Sequence, residues 1–131
     1  MASDAASAEA VVDEFIRRLV AKDLDGACEL VTDDVEYDNV PMGKNYGPAG
    51  IKAVLEPMVG GVDEVEFVVH RQTASGNVVM NERNDRFRIG ERWLDLPVAG
   101  VFEVGEDGRI TLWRDYFDLP TLTDQMQALA S

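Results

Sequence analysis

The chain has 131 residues, 46% of them hydrophobic, and its 12 Lys and Arg against 25 Asp and Glu give a net charge of −13. This length predicts one domain spanning residues 1–131, with enough apolar side chains to bury a core. The acidic balance argues against nucleic acid or a membrane surface as a partner and favours a neutral or cationic small ligand.

Helical patterns come first along the chain. Residues 1–6 are small and polar, and we expect them to be disordered. Ser7 is suited to cap a helix over 8–22, in which apolar residues recur at helical spacing. A second, shorter helix is predicted over 24–31.

A strand pattern then replaces the helical one. From Val35 the apolar period changes to two, which places Tyr37 and Asn39 on the same face as Val35. Pro41 is expected to end this strand. Two polar side chains on one face could contact the same small molecule.

The remainder is predicted to be one more helix followed by hairpin-linked strands. Pro48 is suited to the first turn of the helix, and Pro57 is expected to end or kink it. Ser75-Gly76-Asn77 is a turn sequence. The predicted strands cover residues 62–73, 78–89, 92–104 and 109–118, and the tail 119–131 is a candidate short helix.

Helices followed by a run of strands predict an α+β fold. We expect a curved mixed or antiparallel β-sheet packed against three to four helices. A sheet curved in this way, with helices covering its concave side, forms a cone that encloses a deep pocket.

The composition also narrows the chemistry. His70 is the only histidine, and no nucleophile motif lies near it, so a Ser-His-Asp or Cys-His mechanism is disfavoured and His70 is expected to be structural or on the surface. Phosphate-loop and dinucleotide motifs are absent. A magnesium or calcium site made only of carboxylates stays open by residue count, but no calcium-loop spacing occurs. We therefore predict acid–base chemistry with no metal and no cofactor.

The cellular setting follows from similar observations. Cys28 is the only cysteine, so no internal disulfide can form, which fits a reducing compartment. The first residues have neither the basic nor the apolar segment of a signal peptide, and no apolar run could span a bilayer. We expect a cytoplasmic protein.

Two further segments carry polar residues where a plain strand would be apolar. Arg83 and Asp85 share a strand face with Val79 and Phe87, so they would lie in a partly apolar wall. Arg83 and Asp85 could instead be a surface ion pair of small energetic value.

In the third segment Asp115 lies between Trp113 and Phe117 on its own face, which predicts a desolvated carboxylate. Alternatively Asp115 is one more solvated acid, and Tyr37 and Asn39 are edge-strand residues beside a turn. The occurrence of all three segments favours a common site.

These segments together resemble the limonene-1,2-epoxide hydrolase family over roughly residues 10–120. The motifs that carry the resemblance are Tyr37-Asp38-Asn39, Tyr46-Gly47, Glu82-Arg83-Asn84-Asp85, Gly100-Val101-Phe102 and Trp113-Arg114-Asp115-Tyr116-Phe117-Asp118-Leu119. The resemblance implies the cone-shaped fold shared with nuclear transport factor 2 and ketosteroid isomerase. It also implies a homodimer.

The resemblance further implies a role for each polar residue. Tyr37, Asn39 and Asp115 would hold the attacking water. Arg83 would lie between the two acids, and Asp85 would be the general acid. The substrate wall would be formed by Met58, Phe87, Leu96, Val98 and Phe117.

The predicted reaction is hydrolysis of a small epoxide to a vicinal diol, with the epoxide and water as the only partners besides a second subunit. Three alternatives stay open at this point. They are an epoxide-opening cyclase, a proton-transfer enzyme similar to ketosteroid isomerase, and a non-catalytic module that binds a small molecule.

Overall fold

The computed structural model describes residues 5–130, which contain four helices and a six-stranded sheet. None of these helices is long and apolar enough to cross a bilayer. The helices are α1 (Ala5–Val20), α2 (Leu24–Cys28), α3 (Gly47–Gly60) and α4 (Leu119–Ala130). The strands are β1 (Val31–Asn39), β2 (Gly43–Tyr46), β3 (Glu64–Ser75), β4 (Val78–Ile89), β5 (Arg92–Val104) and β6 (Ile110–Tyr116).

The sheet is mixed and open, with the strand order β2-β1-β6-β5-β4-β3. Only β1 and β6 pair in parallel, and every other neighbouring pair is antiparallel. Irregularities interrupt the register, for example between Val69 and Arg71 of β3, and such bulges bend and twist a strand. The predicted α+β fold is confirmed.

The core lies between the helices and the concave face of the sheet. The apolar stripe of α1, which includes Val12, Phe15 and Leu19, is fully or almost fully buried. The ring of Phe15 packs edge-on against Trp113 of β6 at 5.1 Å and Phe102 of β5 at 6.3 Å. Burial of each large apolar side chain stabilises the fold by about 1.5–3 kcal/mol.

Three predictions near the N-terminus are wrong. Helix α1 begins at Ala5, so Ser7 lies inside the helix and is not its cap. Residues 5 and 6 belong to that helix, and the expected disorder of residues 1–4 concerns a segment outside the described part of the chain. Helix α2 ends at Cys28, and the next strand starts at Val31 instead of Val35. A spacing of four between Val31 and Val35 suits either a helix or a strand. Val31 pairs with Ile110 of β6, so Val31 belongs to a strand and not to the preceding helix.

Strand β2 was not predicted, because its four residues are mostly exposed and have no apolar period. It pairs with β1 on the side away from β6. Tyr37 and Asn39 therefore do not lie in an edge strand. Pro57 does not end its helix either, since α3 continues to Gly60.

The predicted C-terminal helix is present, and side chains fasten it to the sheet. Strand β5 extends past the end of β6, which leaves the backbone of Asp95 without a β6 partner. The Gln125 amide takes that place, accepting from the Asp95 N–H and donating to the Asp95 carbonyl, both at 2.8 Å. Because buried main-chain groups need such partners, Gln125 fixes α4 beside β5.

Candidate active site

The five polar residues singled out in the sequence meet on the concave face of the sheet. Strand β1 carries Tyr37 and Asn39, and Asn39 lies directly beside Asp115 of β6. Strand β4 contributes Arg83 and Asp85. All five are buried, none being more than 6% exposed. The alternatives of a surface ion pair and a solvated acid are therefore wrong.

The guanidinium of Arg83 joins the two carboxylates. Its Nε donates to Asp85 Oδ1 at 2.7 Å, and its Nη2 donates to Asp85 Oδ2 at 3.1 Å. The same Nη2 donates to Asp115 Oδ2 at 2.6 Å. Charge-assisted contacts of this kind are strong and strongly directional. The two acids are thus held side by side by one nitrogen atom.

Trp113 holds the other oxygen of Asp115. Its indole Nε1 donates to Asp115 Oδ1 at 2.9 Å. The Tyr37 ring stacks on the indole at 4.2 Å and 15°. From sequence Trp113 was predicted only as an apolar neighbour of Asp115, so its hydrogen bond was missed.

A cavity of about 310 Å³ opens beside these groups. Tyr37, Asn39, Asp85 and Asp115 line it, whereas Arg83 lies behind the acids and is not part of its surface. Apolar side chains form most of the remaining wall. All five residues predicted for the substrate wall line this cavity: Met58, Phe87, Leu96, Val98 and Phe117.

Burial changes the protonation of the two acids. It raises the pKa of Asp85 to about 6, against the lowering effect of Arg83 and with a further increase from the charge of Asp115. It also raises the pKa of Asp115, opposed by Arg83 and by the Trp113 hydrogen bond. Two carboxylates beside one cation would leave a net negative charge in an apolar cavity. The cost of burying that charge favours uptake of a proton by the pair.

The other two ionisable groups keep their usual forms. Burial raises the pKa of Tyr37, and the nearby Asp115 charge adds to that increase, so its phenol is neutral. Burial would lower the pKa of Arg83, but the charges of Asp115 and Asp85 outweigh that effect and raise it. Arg83 is therefore a permanent cation between the two acids.

The chain is similar in sequence to known proteins of one family. The sequence model described as the limonene-1,2-epoxide hydrolase catalytic domain matches residues 6–128. Epoxide hydrolase EphG of Mycobacterium tuberculosis is 41% identical over 108 residues, which cover 82% of this chain and 71% of that protein. This chain belongs to the limonene-1,2-epoxide hydrolase family. The resemblance seen in the sequence is confirmed.

Solved structures extend the comparison to the fold. The structure of a limonene-1,2-epoxide hydrolase-like enzyme from M. tuberculosis superposes with a TM-score of 0.79 and 36% identity, covering 96% of each chain. An NTF2-like protein of unknown function from Cytophaga hutchinsonii gives a TM-score of 0.70 at 22% identity, covering 95% of each chain. The second likeness concerns the fold alone.

Gly100 of β5 also contributes to the site of this epoxide hydrolase family member, although it was named from the sequence only as part of a motif. A side-chain carbon at Gly100 of β5 would lie 2.3 Å from Arg83 Nη1 and 2.9 Å from Asp115 Oδ1. No larger residue fits unless the guanidinium moves. A glycine inside a strand is the signal that could have indicated this close approach.

Part of the cavity wall was also missed. Met42 follows β1, Leu122 and Met126 belong to α4, and all three line the cavity. Their positions depend on how α4 and the turn pack, which no local periodicity reports. His70, by contrast, is an exposed residue hydrogen-bonded to Asn84, as predicted for a surface role.

Proposed function

We propose that this family member hydrolyses a small, mostly apolar epoxide to a vicinal diol by direct attack of water. One observation supports this most strongly. Asp85 and Asp115 both border the cavity and both accept a hydrogen bond from Nη2 of Arg83. The substrate would therefore meet an acid pair whose members share one proton.

Epoxide opening needs a base and an acid at the same moment. Water becomes a good nucleophile when a base takes its proton, and the ring oxygen leaves readily when an acid supplies one. Two groups of the same type can perform both tasks only if their surroundings divide them into an ionised and a protonated member. A buried pair with one shared proton meets that requirement.

In the proposed mechanism Asp115 is the ionised base. Tyr37 and Asn39 hold the water beside it, and the water oxygen bonds to a ring carbon as its proton passes to Asp115. Asp85 gives its proton to the ring oxygen as the carbon–oxygen bond breaks. Asp85 then recovers a proton from Asp115 before the next turnover. Arg83 does not line the cavity, so it acts by positioning both acids, and no metal or cofactor takes part.

The cavity supports a small and mainly apolar substrate. A volume of about 310 Å³ is at the lower end of the range for small-molecule sites. Aliphatic, aromatic and Met side chains form most of the wall, so cyclic and terpene-like epoxides are the first candidates. The acid pair and the two water-binding side chains lie together on the sheet side of the cavity.

The test is a panel of cyclic and terpene-like epoxides with mass-spectrometric detection of products. We expect a diol from at least one of them, formed at least about a hundredfold more slowly by Asp115→Asn protein prepared in the same way, which controls for contaminating hydrolases. A cyclic ether from a hydroxyl-bearing epoxide would instead indicate the cyclase. No turnover across the whole panel would contradict hydrolysis and favour a binding module.

We further propose that the enzyme is a homodimer that pairs through the outer face of its sheet. Val68, Met80 and Tyr116 are between 39% and 51% exposed, and Met80 and Tyr116 border one shallow depression with Val101. Exposed apolar clusters of this kind are typical of subunit contacts. Sedimentation analysis should give a dimer mass for the unmodified protein and a monomer mass for Met80→Asp. A monomer at all concentrations would overturn this proposal.

A further inference from the structure

We propose that Asn81 and Gln72 are positioning residues that orient the guanidinium of Arg83 toward the acid pair. The inference rests on the proposed function, because it explains how Arg83 is kept in place for Asp85 and Asp115. It concerns a side of the guanidinium that neither acid occupies.

Asn81 contacts Arg83 on that third side. Nη1 of Arg83 donates to Asn81 Oδ1 at 2.9 Å. Asn81 is two residues before Arg83 on the same face of β4, and it is only 5% exposed. It does not line the cavity, and its hydrogen bond to the site goes to Arg83.

A second amide continues the contact toward the surface. Asn81 Nδ2 donates to Gln72 Oε1 of β3 at 3.1 Å. Gln72 Nε2 then donates to two carboxylates of α1, Glu9 Oε2 at 3.2 Å and Asp13 Oδ1 at 3.0 Å. We call Arg83, Asn81, Gln72, Glu9 and Asp13 the amide chain. It connects the buried site with the first helix.

The two ends of the amide chain fix its direction. A guanidinium only donates hydrogen bonds and an ionised carboxylate only accepts them. Asn81 and Gln72 must therefore both direct their oxygens inward and their nitrogens outward. Flipping either amide would bring two donors or two acceptors together. Neither amide has a proton to transfer at neutral pH, so the chain positions Arg83 and does not relay protons.

The bulge in β3 is what places Gln72 in the chain. Val69 lies opposite Arg83, and after the register shift Gln72 lies opposite Asn81. Without the extra residue, Arg71 would face Asn81 and bring a second cation to the site. Bulges often re-aim a side chain beside an active site in this way.

The test is a carbon-13 NMR titration of the Asp85 and Asp115 carboxyl groups, which does not require turnover. Among residues 5–130, the charged or titratable groups that face Arg83 are those two acids and Tyr37 of β1, with Glu9 and Asp13 at the far end of the amide chain. In Asn81→Ala the guanidinium loses the contact that fixes its orientation. It can then turn away from the two acids, so its attraction for their negative charges weakens. We expect their midpoints to rise by roughly half a pH unit or more.

A second variant covers the case in which Asn81→Ala does not fold. Gln72→Leu leaves Arg83 and Asn81 in place but removes what orients Asn81, so a smaller rise in the same direction is expected. Asn84→Ala is the matched control, because Asn84 is on the same strand but bonds to Asp95 and His70 instead. Its midpoints should equal those of the unmodified protein.

Kinetics supply the second readout. In an active enzyme, Asn81→Ala should lower kcat by roughly tenfold, about the effect of one lost hydrogen bond to a charged group, with KM almost unchanged. Carboxyl midpoints in folded Asn81→Ala or Gln72→Leu that equal those of Asn84→Ala would overturn the positioning role. An unmodified protein that hydrolyses no epoxide would contradict the proposed function but leave the titration result decisive for the amide chain.

Discussion

Two arginine-centred clusters lie on opposite faces of this sheet, and they are built from the same kinds of residue. On the concave face Arg83 joins Asp85 and Asp115. On the outer face Arg114 of β6 joins two acids of β1, with Nε donating to Asp38 at 2.9 Å and Nη2 donating to Glu36 at 2.7 Å.

Access to water separates the two clusters. The side chain of Arg83 is 0% exposed and that of Arg114 is 30% exposed. In the outer cluster water reaches Arg114 and Glu36, although Asp38 is only 7% exposed. The inner cluster is buried throughout, and burial raises the pKa of both inner acids. Under the proposed function, one guanidinium and two carboxylates form an acid–base pair only where the fold removes water and adds a cavity beside them.

Neutralising an inner acid should have the largest effect. Asp85→Asn removes the proton donor and Asp115→Asn removes the base, so each should lower kcat by roughly 10² to 10⁴. The side-chain shape is retained, so circular dichroism should show an unchanged fold. Diol formation at saturating epoxide measures the loss.

Asp38→Asn is the matched control for both, because it changes an acid of the outer cluster in the same way. Its kcat should stay within about twofold of the unmodified enzyme, since Asp38 does not line the cavity and an ion pair remote from the reacting groups adds little. An equal loss in Asp38→Asn would mean that the clusters do not differ as described.

Replacing the central arginine should lower the free energy of unfolding more in the inner cluster than in the outer one. Arg83→Met leaves two buried acids without their cation, which should cost about 3–5 kcal/mol in the free energy of unfolding at pH 7. Arg114→Met should cost less than Arg83→Met, because it leaves one buried acid, Asp38, without its cation, while Glu36 still reaches water and contacts Lys44. Urea unfolding measures both values.

The Arg83→Met deficit should also depend on pH with a definite sign. Without the guanidinium the pKa values of both acids rise further, and a raised pKa in the folded state costs stability as pH increases. The deficit should therefore shrink on acidification through about pH 6, where Asp85 takes up its proton, toward the ordinary Asp range near about pH 4. A deficit that grows on acidification would contradict a buried acid pair.

The pH dependence of kcat/KM reports the inner pair directly. Asp85 can donate only while protonated, and its pKa is about 6, so kcat/KM should fall about tenfold per unit well above that pH. At low pH, protonation of Asp115 removes the base, so kcat/KM should also fall on the acid side of the profile. A profile that stays flat well above pH 6 would exclude Asp85 as the acid.

The smallest expected effect concerns the water-binding groups. Tyr37→Phe keeps the ring stacked on Trp113 and removes only one hydrogen bond to the water. We expect kcat to fall by roughly threefold to tenfold, in line with about 1 kcal/mol for one neutral hydrogen bond. Unchanged kcat would remove Tyr37 from the water site.

Much of the site could be predicted because strand alternation is a local property. Period two was enough to place Tyr37 with Asn39, and Arg83 with Asp85, on one face. The hydrogen bond from Trp113 and the space left by Gly100 depend on contacts between strands, so periodicity could not reveal them. The same holds for Met126, which reaches the cavity from α4, a helix held against β5 by contacts that include the Gln125 hydrogen bonds.

The fold boundaries show a similar limit. The spacing of Val31 and Val35 would bury both side chains in a helix or in a strand. Pairing with β6 shows that the segment is a strand. Strand β2 is polar and exposed, so only its hydrogen bonds to β1 define it. Local sequence therefore predicted the type of most elements, while tertiary pairing determined where they begin.

A single-turnover reaction in oxygen-18 water, with enzyme in excess over epoxide, tests direct attack by water most sharply. If Asp115 acts only as a base, the first diol formed contains one oxygen-18 atom and the enzyme carboxylates contain none. An unlabelled first diol, with oxygen-18 found in Asp85 or Asp115, would mean that a carboxylate attacks the ring and would contradict the mechanism.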